Sequence, residues 1–336
     1  MRTHTNQERK MVMCTSIIYR NGDCYFGRNL DLEYSYNEEV AIIPRNMPLS
    51  FRMKETLHHH YACIGMATVV NNVPLYYEAA NEKGLAMAGL NFPGNAVYHE
   101  VAEESDNIAP FEFIPWILGQ CASVQEARKC LSKINLVNIP FSENLPLAPL
   151  HWMISDEHDS LIVESMEDGL HIYEDKIGVL TNNPPYEYHQ WNINNYQHLS
   201  SKNAQNVFSE KLVLQPYAQG MGAIGLPGDF SSASRFVKAA FLLNNAVSEK
   251  SENANVSQFF HILDGVAMVK GSVITPQGHH DITVYSCCIN LSKGIYYYKT
   301  YENNQITVIS MSKEDLEGSS AIRYPLIHDQ QFRYMQ

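Results

Sequence analysis

The sequence predicts an α+β fold, a four-layer αββα sandwich in which two antiparallel sheets stack face to face and helices cover each outer side. The first observation is the order of the candidate segments, which runs strands, two helices, strands, two helices, strands, with no repeat and no long linker. The second is that this stacking buries the apolar face of every segment. With 336 residues, 45% of them hydrophobic, the chain is long enough for one large domain.

The first two strands form a predicted hairpin over residues 17–26. Its turn is Asn21-Gly22, a pair that can take positive φ at both positions and so joins antiparallel strands tightly. Cys14 then begins the first strand, while Arg28 and Asp31 lie near the end of the second. The hairpin therefore brings a thiol, a guanidinium and a carboxylate together, as an active site would.

The remaining elements follow from apolar periodicity and turn signals. Ser123 and Glu126 form a capping-box signature at the start of one helix, and Ser231-Ser232 can cap another. Further strands are predicted at 40–44, 60–70, 76–80, 84–91, 150–155, 160–165, 170–173, 176–181, 283–289, 294–301 and 305–311, and helices at 110–120, 123–134, 231–245 and 255–269.

Charge and cysteine usage exclude several classes of protein. The net charge of −12 argues against binding to nucleic acid or to an anionic membrane surface, and no 18-residue apolar run predicts a membrane span. The cysteines are odd in number, scattered and free of any Cys-x-x-Cys motif, which suits a reducing compartment. We therefore expect a cytoplasmic protein. The seven cysteines are at positions 14, 24, 63, 121, 130, 287 and 288.

The first residues are polar and lack the hydrophobic core of a signal peptide. If Cys14 were the first residue of the mature chain, its own α-amino group, with a pKa of about 7.7–8.0, could accept the thiol proton. Arg28 would lower the thiol pKa from about 8.5. We therefore expect residues 1–13 to be an extension that is removed or not translated, and residues 14–336 to form a single domain.

Two other motifs, a triple histidine and a glycine-rich segment, do not support a metal site or a cofactor site. His58-His59-His60 leads into the strand predicted at 60–70; adjacent side chains in a strand point to opposite faces, and no carboxylate or cysteine ligand set stands beside the histidines. Gly220, Gly222 and Gly225 match Gly-x-Gly-x-x-Gly, but no βαβ unit surrounds them. We expect neither a metal nor an organic cofactor.

Nine segments, in order from residue 13 almost to the end, carry a resemblance to a known family. The chain resembles the choloylglycine hydrolases, N-terminal-nucleophile (Ntn) amidohydrolases that include bile salt hydrolases and penicillin V acylases and share the four-layer sandwich. The segments are Met-Cys-Thr at 13–15, Phe-Gly-Arg-Asn-Leu-Asp at 26–31, Asn-Glu-Lys-Gly-Leu at 81–85, Ala-Gly-Leu-Asn-Phe at 88–92, Leu-His-Trp-Met at 150–153, Gly-Val-Leu-Thr-Asn at 178–182, Gly-Leu-Pro-Gly-Asp-Phe at 225–230, Ala-Ser-Arg-Phe at 233–236 and Lys-Gly-Ile-Tyr-Tyr-Tyr at 293–298.

The resemblance implies that Cys14 is the nucleophile, exposed as the mature N-terminus. It implies that Arg28 sits beside the thiol and lowers its pKa, and that Asp31 bonds the thiol or the α-amino group. Without the resemblance, Arg28 and Asp31 could equally be an ordinary exposed ion pair, worth at most about 1 kcal/mol.

The resemblance also implies an oxyanion hole built from the side chain of Asn182 and the backbone of Asn91, with Arg235 supporting the nucleophile and the developing charge. Bile salt hydrolases resemble this chain in having Asn at position 91, where penicillin V acylases typically have Tyr. On sequence alone, Asn182 could be turn chemistry, and Arg235 at a helix start would more often be a solvated surface charge.

The function that this resemblance implies is hydrolysis of conjugated bile salts, with a penicillin V acylase as the alternative and a non-catalytic small-molecule binder if Cys14 is never exposed. A steroid needs an apolar pocket, although the apolar residues chosen for it could equally be core. The resemblance further implies a homotetramer, with the polar stretch 196–217 as an inter-subunit extension. The predicted substrate-binding residues are Arg28, Leu30, Val70, Asn91, Phe141 and Leu145.

Overall fold

The computed structural model describes residues 13–335. Its strands are β1 (Met13–Asn21), β2 (Asp23–Leu32), β3 (Glu39–Ile43), β4 (Cys63–Val70), β5 (Val73–Asn81), β6 (Ala86–Asn91), β7 (Asp106–Ile108), β8 (Ile134–Leu136), β9 (Leu150–Ser155), β10 (Ser160–Met166), β11 (Gly169–Glu174), β12 (Val179–Leu180), β13 (Ile282–Asn290), β14 (Ile295–Thr300), β15 (Thr307–Ser310) and β16 (Ile322–Pro325). Its α-helices are α1 (Phe113–Gln120), α2 (Val124–Leu131), α3 (Tyr186–Asn192), α4 (Ser232–Asn244) and α5 (Glu252–Asp264).

Two antiparallel sheets form the centre of the molecule. The six-stranded sheet has the order β12-β1-β2-β13-β14-β15, and the eight-stranded sheet has the order β11-β10-β9-β6-β5-β4-β3-β16. Helices α4 and α5 pack on β1, β2 and β13 of the first sheet, and α1 packs on β4, β5 and β6 of the second. The predicted four-layer αββα sandwich is therefore confirmed.

The hydrophobic core has two parts that follow from this layering. One lies around the six-stranded sheet, between it and α4 and α5 on one side and the inner face of the eight-stranded sheet on the other. The second joins the outer face of the eight-stranded sheet to α1 and α2. The first two strands are buried on both faces, because they lie between helices and the second sheet. Groups on β1 and β2 that face inward are consequently shielded from water.

The predicted N-terminal hairpin is present, and its register sets the site. Cys14 pairs with Leu30 and Ser16 pairs with Arg28 across β1 and β2. The turn differs in detail from the prediction, because Gly22 has φ +79° while Asn21 keeps a negative φ. A glycine at that one position suffices for the reversal. The extension expected at residues 1–13 lies outside the described residues, apart from Met13 in β1.

Some elements differ from the predicted ones. Helix α5 begins at Glu252 because the Ser251 side chain accepts the backbone N–H of Ala254 and caps it. Helix α3, the edge strand β16 and the short parallel pair β7–β8 were not predicted. They are short and lack a periodic pattern, so contacts with distant parts of the chain hold them. Within residues 13–335, no helix combines the length and hydrophobicity needed to cross a membrane.

Candidate active site

Cys14 is buried near the start of β1, with 1% of its surface exposed. The guanidinium Nη2 of Arg28, on the neighbouring strand, donates to its sulfur. The backbone N–H of Asn91, at the end of β6 in the other sheet, also bonds the sulfur. The thiol therefore lies between the two sheets and receives donors from both.

Arg28 crosses the space between the sheets. Its Nη1 donates to the carbonyl of Gly89 at 2.6 Å and more weakly to that of Tyr77 at 3.3 Å. Tyr77 is an extra residue on β5, since Glu78 pairs with Met66 while Tyr76 pairs with Ala67. A bulge frees a backbone group from its ladder, and here the freed carbonyl faces the guanidinium. Arg28 is fully buried, so it does not form an exposed ion pair with Asp31.

Glu78 is the counter-ion of Arg28 and was not found from the sequence. Its carboxylate is fully buried, 3.8 Å from Arg28 Nε, and accepts the hydroxyls of Tyr285 and Tyr296 at 2.6 Å each. Burial raises the pKa of Glu78, while Arg28 and the two hydroxyls lower it. The available signal was a single carboxylate inside the otherwise uncharged strand segment at 76–80.

Arg28 lowers the pKa of the Cys14 thiol, as predicted, but the net shift of that pKa is upward in the chain as described. Burial raises the pKa of the thiol and is the largest influence, and the Asp31 carboxylate raises it further. Arg28, the Asn91 N–H and Arg235 each lower it, but together they do not outweigh burial. Desolvation disfavours the thiolate because a charge in a low-dielectric interior loses its hydration.

Asp31 bonds a partner that the sequence did not indicate, and its expected bond to the thiol or the α-amino group stays a prediction. Its Oδ1 accepts the hydroxyl of Thr283 at 2.6 Å, and its Oδ2 has no partner among residues 13–335. Thr283 lies next to a bulge on β13, where Thr283 pairs with Asp31 and Tyr285 already pairs with Leu30. Burial raises the pKa of Asp31 to about 6, against the lowering influence of Arg235. Its unpaired oxygen leaves room for one further donor.

Asn182 lies just beyond β12 and joins the nucleophile to Asn91. Its Oδ1 accepts the backbone N–H of Cys14 at 2.9 Å and Nη2 of Arg235 at 2.7 Å. Its Nδ2 donates to the backbone carbonyl of Asn91 at 2.8 Å. An amide nitrogen carries two hydrogens, so one remains to donate elsewhere.

Arg235 lies in the first turn of α4, which Ser231 caps. It is buried, so it is not a surface charge. Its Nη1 donates to the carbonyl of Cys14 and to Oγ1 of Thr15, and its Nε donates to the carbonyl of Phe230 at 3.0 Å. Burial lowers the pKa of Arg235, and the Asp31 carboxylate opposes that shift.

Two buried histidines behind Asn182 were also not predicted as site residues. Nε2 of His189 lies 3.0 Å from the carbonyl of Asn182, and Nε2 of His151 lies 3.0 Å from the carbonyl of Thr181. Burial lowers the pKa of His189 to about 4, so its ring is neutral and donates from Nε2. His151 stands in the Leu-His-Trp-Met segment, but nothing in the sequence indicates its partners.

The four predicted pocket residues have different surroundings. Leu30 is buried in the core beside Cys14, and Val70 is partly exposed at the end of β4. Phe141 and Leu145 lie in the connection between β8 and β9, where Phe141 packs edge-on against Phe111 at 5.2 Å between ring centres. Their role in binding stays a prediction.

The triple histidine lies before β4 rather than in a strand. His58 and His59 are exposed, and His59 bonds Asn46. His60 is buried, with its ring nitrogens 2.8 and 2.7 Å from the carbonyls of Tyr61 and Met47. In the part of the chain that the structure describes, no three potential ligands cluster as a metal site.

Taken together, the site holds a thiol, two buried guanidinium groups and two amide donors from neighbouring asparagines. A thiolate can attack a carbonyl carbon, and N–H groups already fixed in place can stabilise the oxyanion that forms. This arrangement is typical of acyl transfer through a covalent intermediate.

The fold is the αββα sandwich of the Ntn hydrolases. The chain belongs to the choloylglycine hydrolase family of linear amide C–N hydrolases, whose family model matches residues 14–324. It is therefore an amidohydrolase.

Curated and solved relatives agree with this assignment. The chain is 52% identical over 320 residues to a bile salt hydrolase/transferase of Lactiplantibacillus plantarum, covering 95% of this chain and 99% of the relative. It is 42% identical over 317 residues to one of Clostridium perfringens, covering 93% and 96%. The crystal structure of a conjugated bile acid hydrolase from Clostridium perfringens superposes with a TM-score of 0.89 at 39% identity, covering 97% of this chain and all of that one.

Penicillin V acylases are more distant. One from Pectobacterium atrosepticum is 24% identical over 283 residues, covering 78% of this chain and 67% of the relative.

Proposed function

We propose that this enzyme is a conjugated bile salt hydrolase that cleaves the amide bond between a bile acid and glycine or taurine. The observation that carries the proposal is the buried Cys14 thiol, bonded by Arg28 and by the Asn91 N–H, in a chain 52% identical to a bile salt hydrolase/transferase. The penicillin V acylase alternative is weaker, since the relative of that name is only 24% identical.

In the proposed mechanism, Cys14 is the first residue of the mature enzyme and its sulfur attacks the amide carbonyl. The free α-amino group takes the thiol proton and then gives it to the leaving amine. This leaves a thioester on Cys14, which water, activated by the same amine, hydrolyses. The unpaired Oδ2 of Asp31 is available to bond the α-amino group.

The tetrahedral oxyanion is held by the N–H of Asn91 and the remaining hydrogen of the Asn182 amide. Such donors are typically worth about 10²–10³ in rate each. Arg235 fixes Asn182 Oδ1, so the amide nitrogen faces the site. Arg28 offsets part of the desolvation cost of the thiolate. Leu30, Val70, Phe141 and Leu145 would contact the steroid.

The first experiment compares the mature N-terminus with activity. Active protein should begin at Cys14, because an internal cysteine offers an amide nitrogen where the mechanism needs an amine. Intact mass and terminal sequencing report the start, and release of glycine from glycocholate or taurine from taurocholate reports activity. Fully active enzyme that retained Met13 would contradict the mechanism.

The second experiment changes the nucleophile. Cys14→Ser should abolish hydrolysis, because an alcohol is much harder to ionise than a thiol. Cys24→Ser is the matched control: Cys24 is buried in the same hairpin, and its sulfur bonds the carbonyl of Asp156 at 3.5 Å. Faster hydrolysis of penicillin V than of glycocholate by the wild-type enzyme would favour the acylase alternative.

We also propose that the enzyme is a cytoplasmic homotetramer. All seven cysteines carry free thiols, as in a reducing compartment. Segment 196–217 is largely irregular and exposes large apolar side chains, which water disfavours unless a partner covers them. The most exposed of these are Val207, Phe208, Val213 and Tyr217.

A further inference from the structure

His151 is a buried histidine that the proposed mechanism does not use. Its Nδ1 lies 2.9 Å from Oε1 of Glu164, and its Nε2 lies 3.0 Å from the carbonyl of Thr181. Its ring stacks on that of Phe92, with 4.3 Å between centres and 7° between planes. Both His151 and Glu164 are fully buried.

The partners of the ring fix its orientation. A carbonyl oxygen only accepts, so Nε2 carries a hydrogen and donates it to the carbonyl of Thr181. On the other side, Nδ1 shares a hydrogen bond with the Glu164 carboxyl group. Oε1 of Glu164 also accepts the backbone N–H of Tyr186 at 3.0 Å. The ring is therefore held at both nitrogens by buried partners.

The two contacts of the ring lie next to the two oxyanion donors. Thr181, whose carbonyl the ring bonds, directly precedes Asn182, and Phe92, on which the ring stacks, directly follows Asn91. The backbones that carry these donors come from different places, β6 for Asn91 and the end of β12 for Asn182. One aromatic ring therefore contacts the sequence neighbour of each donor residue, Thr181 by a hydrogen bond and Phe92 by stacking.

We propose that His151, paired with Glu164, is a positioning residue that sets the separation between the Asn91 N–H and the Asn182 amide. The proposal rests on the oxyanion hole of the proposed function. Oxyanion stabilisation depends on donors that are fixed before the reaction, and small displacements of such groups cost rate rather than substrate affinity. His151 touches no reacting atom and acts through the two asparagines.

The test is His151→Phe, which keeps a flat ring for Phe92 to stack on and removes both hydrogen bonds. We expect kcat for glycocholate to fall by roughly tenfold to a hundredfold, while KM changes less than threefold. Alkylation of Cys14 by iodoacetamide should keep its rate, because substitution at a saturated carbon forms no oxyanion. An aldehyde analogue of the bile acid, which forms a tetrahedral adduct with the thiol, should bind more weakly by the same factor as kcat/KM.

Two further variants separate positioning from folding. His60→Phe is the matched control, since His60 is also buried with both ring nitrogens on carbonyls, those of Tyr61 and Met47, which lie outside the site. It should lower the melting temperature with little change in kcat. Glu164→Gln is a milder test at the site: it exchanges the carboxyl group that faces Nδ1 for an amide and leaves the bond of Nε2 to the Thr181 carbonyl in place, so a smaller loss of kcat with unchanged alkylation is expected.

Two results would overturn the proposal. One is a kcat within threefold of wild type in His151→Phe, and the other is alkylation that slows in step with kcat, which would make His151 a support of the fold. Wild-type enzyme whose Cys14 is alkylated but which leaves glycocholate intact would instead refute the proposed substrate. The comparison of kcat with alkylation would then be made on penicillin V.

Discussion

At the scale of residues, the site depends on charges that are buried and paired. Arg28 and Arg235 are both fully buried around Cys14, and each contacts backbone carbonyls as well as side chains. A buried guanidinium is tolerated only if its donors and its charge are satisfied. The carboxylate of Glu78 is the counter-ion of Arg28. The carboxylate of Asp31 interacts electrostatically with Arg235.

Glu78→Gln should destabilise the fold. The substitution keeps the size of the side chain and leaves the charge of Arg28 unpaired between the sheets, and breaking a buried pair typically costs about 3–5 kcal/mol. Tyr296→Phe, which removes one of the two hydroxyls bonded to Glu78, should cost only about 1–2 kcal/mol. Chemical denaturation of both variants measures the difference. Equal losses would mean that Glu78 acts as a hydrogen-bond acceptor rather than a counter-ion.

Asp31 should make stability fall as the pH rises from about 4 to 6. Its pKa is raised to about 6 in the fold, against about 3.9 in an unfolded chain. In that window the folded state binds more protons than the unfolded state, so raising the pH favours unfolding. Asp31→Asn should remove this part of the dependence, as measured by thermal unfolding of the chain that retains Met13. An unchanged slope would assign the dependence to Asp281, whose pKa burial also raises to about 6.

Asn91→Tyr should change the choice of substrate. The backbone N–H of Asn91 bonds the Cys14 sulfur whatever the side chain, so the chemistry should partly survive. The compact amide side chain could bond the glycine or taurine end, and loss of a hydrogen bond to a charged group is worth about 1.5–3 kcal/mol. We expect kcat/KM for both conjugates to fall roughly tenfold to a hundredfold, with penicillin V spared or improved. An equal loss on all substrates would make position 91 a catalytic support instead of a selector.

At the scale of elements, the strands near the site have two special features. β2 and β13 approach each other closely at Gly27, and β5 and β13 each carry a bulge. A Cβ on Gly27 of β2 would lie 2.0 Å from the backbone carbonyl oxygen of Cys287 on β13. The extra residues at Tyr77 and Val284 interrupt the ladders beside Arg28 and Asp31. Glycine and bulges of this kind allow close approach and re-aim neighbouring groups.

Gly27→Ala should therefore prevent normal folding. The added methyl group meets backbone atoms that cannot rotate away, so β2 must separate from β13 and carry Arg28 with it. We expect loss of soluble protein or a large fall in melting temperature, together with loss of activity. Gly228→Ala is the control, because nothing lies within 4 Å of its Cβ and its φ is not positive. It should stay within about 0.5 kcal/mol of wild type, and similar behaviour of the two variants would contradict the argument.

At the scale of the whole molecule, the two sheets and their helices leave one long exposed stretch outside the layers. Residues 197–230 contain one short 3₁₀ turn, Met221–Ala223, and no strand or longer helix. Long irregular loops of this kind are usually functional. Its apolar side chains are the reason to expect assembly through this part of the surface.

The tetramer prediction can be tested on those side chains. Replacing Val207, Phe208 and Val213 by Ser removes exposed apolar surface without touching the core, since all three are more than 80% exposed. Light scattering at micromolar concentration should show a tetramer for wild type and smaller species for the triple variant. Val247→Ser is the control, because Val247 is 85% exposed elsewhere on the chain. A wild-type monomer would contradict the prediction.

The sequence by itself determined the layers, most element positions and six residues of the site cluster, but not Glu78 or the two buried histidines. Apolar periodicity and turn signals reflect local preferences, which is why the hairpin around Gly22 and the caps of α2 and α4 were found. The family resemblance selected Cys14 and its partners by their positions in the motifs, without any interatomic distance.

Only the tertiary structure decided the environment of those residues. The raised pKa of Cys14 follows from burial between two sheets, which no local pattern encodes. Glu78 reaches Arg28 from the other sheet, and His151 bonds Thr181 thirty residues away. Such contacts join segments that are distant in sequence, and the free energy of a buried charge depends on everything packed around it.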